Sequence, residues 1–187
     1  MTTYLQRWQI RVTGVVQGVG FRPFVYALAQ QFSLSGWVLN DADGVLIELD
    51  AQESTLHDFI VQIKTSAPPL SQIHEIHIHA QGIAHPLHNE FSIRHSQVGD
   101  NPSVVVATDS HVCADCLREM HDPADRRYQY PFINCTHCGP RFSIIKSLPY
   151  DRASTTMDAF AMCSDCLAEY QNPLSRRYHA QPIACPK

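Results

Sequence analysis

The residues with the clearest chemistry are seven cysteines, all in the C-terminal part of the 187-residue chain. Cys113 and Cys116 form one C-x2-C pair, Cys135 and Cys138 form another, and 18 residues separate the two pairs. Two such pairs can aim four thiolates at one tetrahedral centre, and this spacing is typical of a structural zinc site. The sequence therefore predicts one complete four-cysteine zinc site in a first finger, residues 113–138.

An internal repeat extends this metal-binding pattern. Cys163 and Cys166 lie 50 residues after the first pair, and Cys185 lies 50 residues after Cys135. Aligning residues 113–135 with the segment 50 residues later gives 11 identities in 23 positions. Self-similarity at a fixed period indicates a repeated structural unit, so we expect a second zinc finger built like the first.

The second finger, residues 163–187, has no evident fourth ligand. The counterpart of Cys138 falls at position 188, whereas the sequence ends at Lys187. We expect the natural polypeptide to continue and the sequence to be truncated just before this ligand. The alternative is a natural three-cysteine site that His179 or a water molecule completes.

Composition and charge narrow the class of protein. An apolar fraction of 44% and a charged fraction of 17% are typical of a soluble globular chain. The N-terminal segment has no apolar run long enough for a signal peptide or a membrane span, so we expect a cytoplasmic protein with no membrane contact, whose grouped thiols bind metal rather than form disulfides. A net charge of −4 predicts no nucleic-acid partner, and the two RRY segments, 126–128 and 176–178, are interpreted as packing and surface ion-pair residues.

A second candidate site is the glycine-bearing loop before the first predicted helix. Gly14, Gly18 and Gly20 allow the backbone to curl so that successive N–H groups converge at the helix N-terminus, which suits an anion. Arg22 follows just inside that helix, where its guanidinium can bind two phosphate oxygens. On these residues alone a plain structural turn remains the simpler interpretation.

The elements around this loop predict an α+β fold. The pattern gives strands at 8–13, 36–40, 45–49, 72–80 and 91–95, and helices at 21–34 and 56–66, the second with Ser54 or Thr55 as its cap. The order βαββαβ with a possible fifth strand is that of a ferredoxin-like sandwich. We therefore predict a first domain at 1–95, a linker at 96–110 and a zinc-finger region at 111–187.

Two longer motifs give a more specific interpretation of this loop. The segments VTGVVQGVGFRPFV and GWVLNDADG closely resemble the two signatures of the acylphosphatase family. The resemblance implies that Arg22 binds phosphate and that Asn40 orients the attacking water. It also implies a phosphate cradle formed by Gln17, Gly18, Val19, Gly20, Phe21 and Arg22.

The combination of this domain with two repeated fingers resembles the N-terminal part of the carbamoyltransferase family of [NiFe]-hydrogenase maturation. That resemblance implies carbamoyl phosphate and ATP as substrates, and transfer of the carbamoyl group to a partner protein, HypE, toward the cyanide ligands of the active-site iron. The ATP-using and transfer domains of that family have no counterpart in these residues.

The expected activity is correspondingly narrow. We expect residues 1–95 to bind and hydrolyse carbamoyl phosphate or another acyl phosphate, while the zinc-finger region connects this domain to later domains of the polypeptide. The alternative is a catalytically idle acylphosphatase fold that, with its zinc region, serves as a scaffold for protein interaction.

Overall fold

The computed structural model describes residues 5–85, 88–96, 107–148 and 150–186, so most of the predicted linker lies outside it. Among the described residues, no helix is both long enough and apolar enough to cross a bilayer. The strands are β1 (Gln6–Val15), β2 (Ser35–Asp41), β3 (Gly44–Ala51), β4 (Gln72–Ile83) and β5 (Phe91–Ile93). The α-helices are α1 (Phe21–Gln31), α2 (Glu53–Ser66), α3 (Ala114–His121) and α4 (Ser164–Gln171).

The N-terminal domain is a five-stranded sheet with the order β4-β1-β3-β2-β5. β1 is antiparallel to both β3 and β4, β2 is antiparallel to β3, and the short edge strand β5 runs parallel to β2. This arrangement confirms the predicted ferredoxin-like α+β fold and its fifth strand. The N-terminus of α1 at Gly20 and the end of β2 at Asn40 line the same cavity.

One face of the sheet is buried under the two helices. Ile10, Val12 and Ile47 alternate with more exposed residues and are fully buried, as period-two patterning requires of a half-buried sheet. Phe32, just after α1, packs edge-to-face on Phe59 of α2 with ring centroids 5.8 Å apart. The apolar stripes of both helices therefore cover the sheet and hold α1 in place.

The helix boundaries differ from the predicted ones at two points. α1 ends before Ser33, which adopts the left-handed conformation at φ 53° and lets Leu34 N–H bond back to Ala29 O at 2.9 Å. The extended residue Gln52 is the N-cap of α2, and its carbonyl accepts from Leu56 N–H. Ser54 and Thr55 were therefore wrong as caps, because both already lie in the first helical turn.

The two cysteine repeats share one backbone plan. α3 begins directly after Cys113 and α4 directly after Cys163, so the second cysteine of each pair lies in the first turn of its helix. The guanidinium Nε–H of Arg127 bonds to Ala184 O at 3.2 Å, and that of Arg177 bonds to the equivalent Asn134 O at 3.1 Å. The repeats thus hold each other through matched contacts.

Ion pairs also join the two repeats, because a glutamate in the helix of each repeat binds arginines of the other. Glu119 of α3 accepts from Arg176 and Arg177 of the second repeat. The equivalent Glu169 of α4 accepts from Arg126 at 2.5 Å and from Arg127 at 2.6 Å. The expected ion pairs of the RRY segments are present, but their description as surface pairs was wrong, because Arg127 and Arg177 are buried between the fingers.

Candidate phosphate site and metal centres

The candidate phosphate site begins at the loop between β1 and α1. Gly18 and Gly20 have φ values of 72° and 80°, a conformation that side chains with a Cβ adopt reluctantly. Gly20 is the N-cap of α1 and accepts from Phe24 N–H at 3.1 Å, so the first helical N–H groups open toward the loop. The predicted helix N-terminus is therefore present with the required curvature.

The predicted cradle residues divide into two groups. Gly18, Gly20, Phe21 and Arg22 line a cavity, together with Asn40 from the end of β2. Gln17 lies behind that surface: its Nε2 donates to Asp41 O at 2.8 Å and to Gly44 O at 2.9 Å, which ties the loop to the β2–β3 turn. Val19 is part of the apolar core. These two residues support the loop, while the others face the cavity.

Arg22 and Asn40 are the polar side chains that the N-terminal domain presents to this cavity. Arg22 is buried, and its Nη1 and Nη2 donate to Ser96 Oγ and Asp151 Oδ1, each at 3.2 Å. A guanidinium carries five N–H donors, so these bonds leave donors for a phosphate. Asn40 Oδ1 is buried and has no hydrogen-bond partner among the described residues. It can accept a hydrogen bond from a bound water.

The opposite wall comes from the zinc-finger region, which the sequence interpretation treated only as a connector. Its contributions include Thr136 and Gly139 of the first finger, Tyr150 of the connecting segment, and a continuous stretch of the second finger, Tyr178 to Pro182. The volume of this cavity is about 30 Å³. The finger region therefore covers the mouth of the candidate phosphate site.

The groups in this wall are mostly neutral. Burial raises the pKa of the Tyr150 phenol to about 12. Burial, helped by the nearby Arg22 charge, lowers the pKa of the His179 imidazole to about 4. At neutral pH these two side chains are therefore uncharged, and they lie near the ion pair of Arg22 with Asp151.

The first metal centre brings together the predicted ligands Cys113, Cys116, Cys135 and Cys138, whose Sγ atoms lie within 4.8 Å of one another. The Cys113–Cys135 and Cys135–Cys138 Sγ distances are 3.6 and 3.9 Å. A tetrahedral zinc with Zn–S bonds of about 2.3 Å requires sulfur atoms about 3.8 Å apart. The four thiols therefore fit a zinc ion, which would cross-link the finger.

The second centre gathers Cys163, Cys166 and Cys185, with 3.5 Å between the first and last Sγ. The backbone N–H of Cys166 and the Cys185 thiol lower the pKa of Cys163 to about 7, which favours the thiolate that a metal needs. The structure does not bring His179 to this group. Its ring stacks between Tyr170 and Tyr178, in the wall of the phosphate site.

Comparison with known proteins agrees with the fold. The acylphosphatase family matches residues 8–93. Over 91 residues the chain is 36% identical to the acylphosphatase of Bifidobacterium longum, covering 93% of that protein and 48% of this chain. The chain belongs to the acylphosphatase family.

The zinc-finger region makes the relationship more specific. The HypF finger matches residues 112–145 and 162–187. The chain is 50% identical over 182 residues to carbamoyltransferase HypF of Rhodobacter capsulatus, covering 97% of this chain and 24% of that protein. A crystal structure of full-length HypF in the phosphate- and nucleotide-bound form aligns with a TM-score of 0.90 and 50% identity, over 97% of this chain and 24% of that one. The chain corresponds to the acylphosphatase and finger parts of HypF carbamoyltransferases and spans about a quarter of their length.

Proposed function

We propose that this chain binds and hydrolyses a small acyl phosphate, with carbamoyl phosphate as the physiological substrate. The observation that carries the proposal is the convergence of Arg22, Asn40 and the Gly18–Gly20 loop on one cavity. A scaffold without activity has no need to bury an arginine and an unpaired amide oxygen beside a helix N-terminus.

The chemistry follows from these groups. The loop N–H groups and the free Arg22 donors bind the phosphoryl oxygens and neutralise their charge. Asn40 Oδ1 accepts from a water and aligns its oxygen for in-line attack on phosphorus. The P–O bond to the acyl group breaks, its electron pair leaves with the carbamate or carboxylate, and the proton lost by water passes to solvent. Because a carboxylate leaves readily, positioning supplies most of the catalysis.

The zinc-finger region has a supporting part in this proposal. The two cysteine groups hold zinc, complete in the first finger and with three cysteine ligands in the second, and the metal stabilises short segments that have little apolar core of their own. These segments keep Thr136 and Tyr150 against the cradle. In a complete HypF-type protein the product would serve cytoplasmic [NiFe]-hydrogenase maturation, with a HypE-type protein as carbamoyl acceptor.

The decisive measurement is phosphate release from carbamoyl phosphate and from benzoyl phosphate by the zinc-loaded chain. We expect Arg22→Ala and Asn40→Ala to reduce kcat/KM by about 100-fold to 1000-fold, the usual cost of removing a preorganised group. Arg94→Ala is the control, since Arg94 stacks over Trp37 outside the cavity. Equal rates of phosphate release by the wild type and both site variants would exclude acyl phosphate hydrolysis at this site.

An interaction scaffold with an idle fold is the second candidate. The observation in its favour is that the cavity is small and that Arg22 already has a carboxylate partner in Asp151. The same assay separates the candidates, because a scaffold shows no phosphate release above the uncatalysed rate.

A further inference from the structure

His179 presents an acceptor that the proposed chemistry does not use. The residue lines the cavity, and its Nδ1 is buried with no hydrogen-bond partner in the described part of the chain. The ring is held between Tyr170, with centroids 4.8 Å apart and planes 3° apart, and Tyr178, with centroids 4.3 Å apart. A buried, unpaired ring nitrogen on a fixed imidazole is costly unless a ligand satisfies it.

The internal repeat shows that the finger fold does not require this histidine. Gln129 occupies the same place in the first finger, with φ 55° against 49° for His179. Each residue donates its backbone N–H to the equivalent helix, Gln129 to Met120 O and His179 to Tyr170 O. Gln129 is nevertheless exposed. The shared turn explains the left-handed backbone at both positions. Of the two residues, only His179 lines the cavity.

The charge next to the ring determines how it can bond. The imidazole is neutral near pH 7, so one nitrogen carries a proton and the other accepts. The Arg22 guanidinium lies close enough to lower the affinity of the ring for a proton. An Nδ1 that accepts a hydrogen bond requires the tautomer with the proton on Nε2.

Two residues that line the cavity, Asn40 of the N-terminal domain and His179 of the second finger, thus each carry a buried acceptor, Oδ1 and Nδ1, with no hydrogen-bond partner among the described residues. The phosphoryl end of an acyl phosphate offers only acceptors and pairs with Arg22 and the loop amides. The acyl end differs between substrates: a carbamoyl group carries two N–H donors, whereas an acetyl group of nearly the same size carries a methyl.

We propose that His179 is a specificity-determining residue whose Nδ1 accepts a hydrogen bond from the amino group of carbamoyl phosphate. The site then selects this substrate over acetyl phosphate, because a methyl group in the same place leaves the nitrogen unpaired. This inference rests on the proposed hydrolysis of acyl phosphates.

The test compares kcat/KM for carbamoyl phosphate and acetyl phosphate, each corrected for uncatalysed decay. We expect His179→Phe, which keeps the aromatic stack but has no acceptor, to lower kcat/KM for carbamoyl phosphate about 10-fold to 100-fold. The value for acetyl phosphate should change less than about threefold. Gln129→Phe is the matched control in the first finger and should leave both values unchanged.

A second variant separates recognition from folding. His179→Asn places an amide oxygen near the position of Nδ1, so it should restore much of the preference for carbamoyl phosphate. Equal loss on both substrates in His179→Phe, no preference in the wild type, or no rescue by His179→Asn would each overturn the role of His179 while leaving the hydrolase intact. Absence of hydrolysis of either substrate by the wild type would instead defeat the proposed function itself.

Discussion

The Arg22 guanidinium and the Asp151 carboxylate, 129 residues apart in sequence, form an ion pair across the boundary between the acylphosphatase domain and the finger region, with Nη2–Oδ1 at 3.2 Å. The adjacent Arg152 is buried and donates to Gln181 O at 2.7 Å and Ile183 O at 3.1 Å. The two consecutive residues thus attach the same segment to Arg22 and to the second finger. The orientation of Arg22 depends on the finger region.

Removal of Asp151 should therefore impair hydrolysis through Arg22. We expect Asp151→Ala to lower kcat/KM for an acyl phosphate by about 10-fold to 100-fold, because the guanidinium loses one of its two fixed partners and a small misplacement is costly. Asp151→Asn keeps an oxygen acceptor and should stay within about fivefold of wild type. Steady-state phosphate release measures both.

Asp158→Ala is the control for this prediction, since Asp158 is exposed on the same segment. If kcat/KM of Asp151→Ala and of Asp158→Ala both equal the wild-type value, the ion pair between Arg22 and Asp151 does not contribute to hydrolysis. If Asp151→Asn is as slow as Asp151→Ala, charge rather than orientation is what Asp151 supplies.

Gly18 joins the cradle to the finger region by close contact. A Cβ at this position would lie 2.9 Å from the Tyr150 ring and 3.1 Å from Pro140 Cβ, at φ 72°. Gly82 on β4 also has a left-handed φ, 104°, but a Cβ there would meet nothing within 4 Å. Substitutions at Gly18 and Gly82 therefore separate the effect of backbone strain from the loss of the contact between the loop and Tyr150.

We expect Gly18→Ala to reduce kcat/KM at least about 100-fold, because the new methyl group pushes Tyr150 off the cradle and distorts the phosphate loop. Gly82→Ala should cost only the strain, about 1–2 kcal/mol of unfolding free energy, with unchanged activity. Urea unfolding and phosphate release on both variants provide the comparison. Equal activity in the two would show that Tyr150 is not required against the loop.

The features that were predicted correctly are those that a short segment of the sequence determines by its pattern. Ile10 and Val12 alternate with polar neighbours, and α1 and α2 carry apolar stripes, so the sheet and its helices follow from periodicity. The two clusters of cysteines, one within 113–138 and one within 163–185, follow from spacing alone. Arg22 and Asn40 were predicted from motif resemblance, and the structure brings them to one cavity.

The sequence did not predict that the zinc-finger region forms one wall of the cavity, because the contacts between the two regions follow no sequence periodicity. Tyr150, Asp151 and Gln181 reach the cradle only through the packing of one region on the other, which a strand or helix pattern does not encode. A signal did exist in the repeat: the shared RRY segment is followed by Gln129 in the first copy and by His179 in the second. In the structure Tyr178 is 6% exposed, whereas its counterpart Tyr128 is 41% exposed. Where two copies of one fold differ after a shared RRY segment, the divergent copy has an additional contact to make.

The exchange of arginines between the fingers predicts that they are stabilised together. Burial opposes ionisation of Glu119, yet Arg177 and Arg176 of the second repeat hold its pKa below the usual value. Loss of this carboxylate leaves the side chain of Arg177, only 6% exposed, without its principal partner. We expect Glu119→Ala to lower the unfolding free energy by on the order of 2 kcal/mol and to speed metal release from both fingers.

Asp115→Ala is the matched control on the same helix. Asp115 pairs with Arg118 in an exposed contact, with side chains 40% and 70% exposed, so its loss should cost much less stability than the loss of Glu119. Guanidinium unfolding and the rate of zinc transfer to a chromogenic chelator report the two effects. Equal behaviour of the two variants would mean that the fingers are independent.

The neutral state of His179 makes stability depend on pH in a defined window. Its pKa is lowered to about 4 in the folded protein, mainly by burial and then by the Arg22 charge, against an ordinary value of 6.5. Between these values the unfolded chain binds the proton and the folded chain does not, so stability is full above pH 6.5 and falls as the pH drops toward 4. At pH 5 the loss from this residue is about 2 kcal/mol relative to pH 8.

His179→Phe removes this titration while keeping the aromatic stack. The difference in unfolding free energy between wild type and His179→Phe should therefore shift by about 2 kcal/mol in favour of the variant between pH 8 and pH 5, because all other groups titrate in both proteins. Urea unfolding of both proteins across this range measures the shift. A difference that stays constant with pH would mean that the imidazole titrates alike in the folded and unfolded chains, and hence is not held neutral in the wall of the cavity.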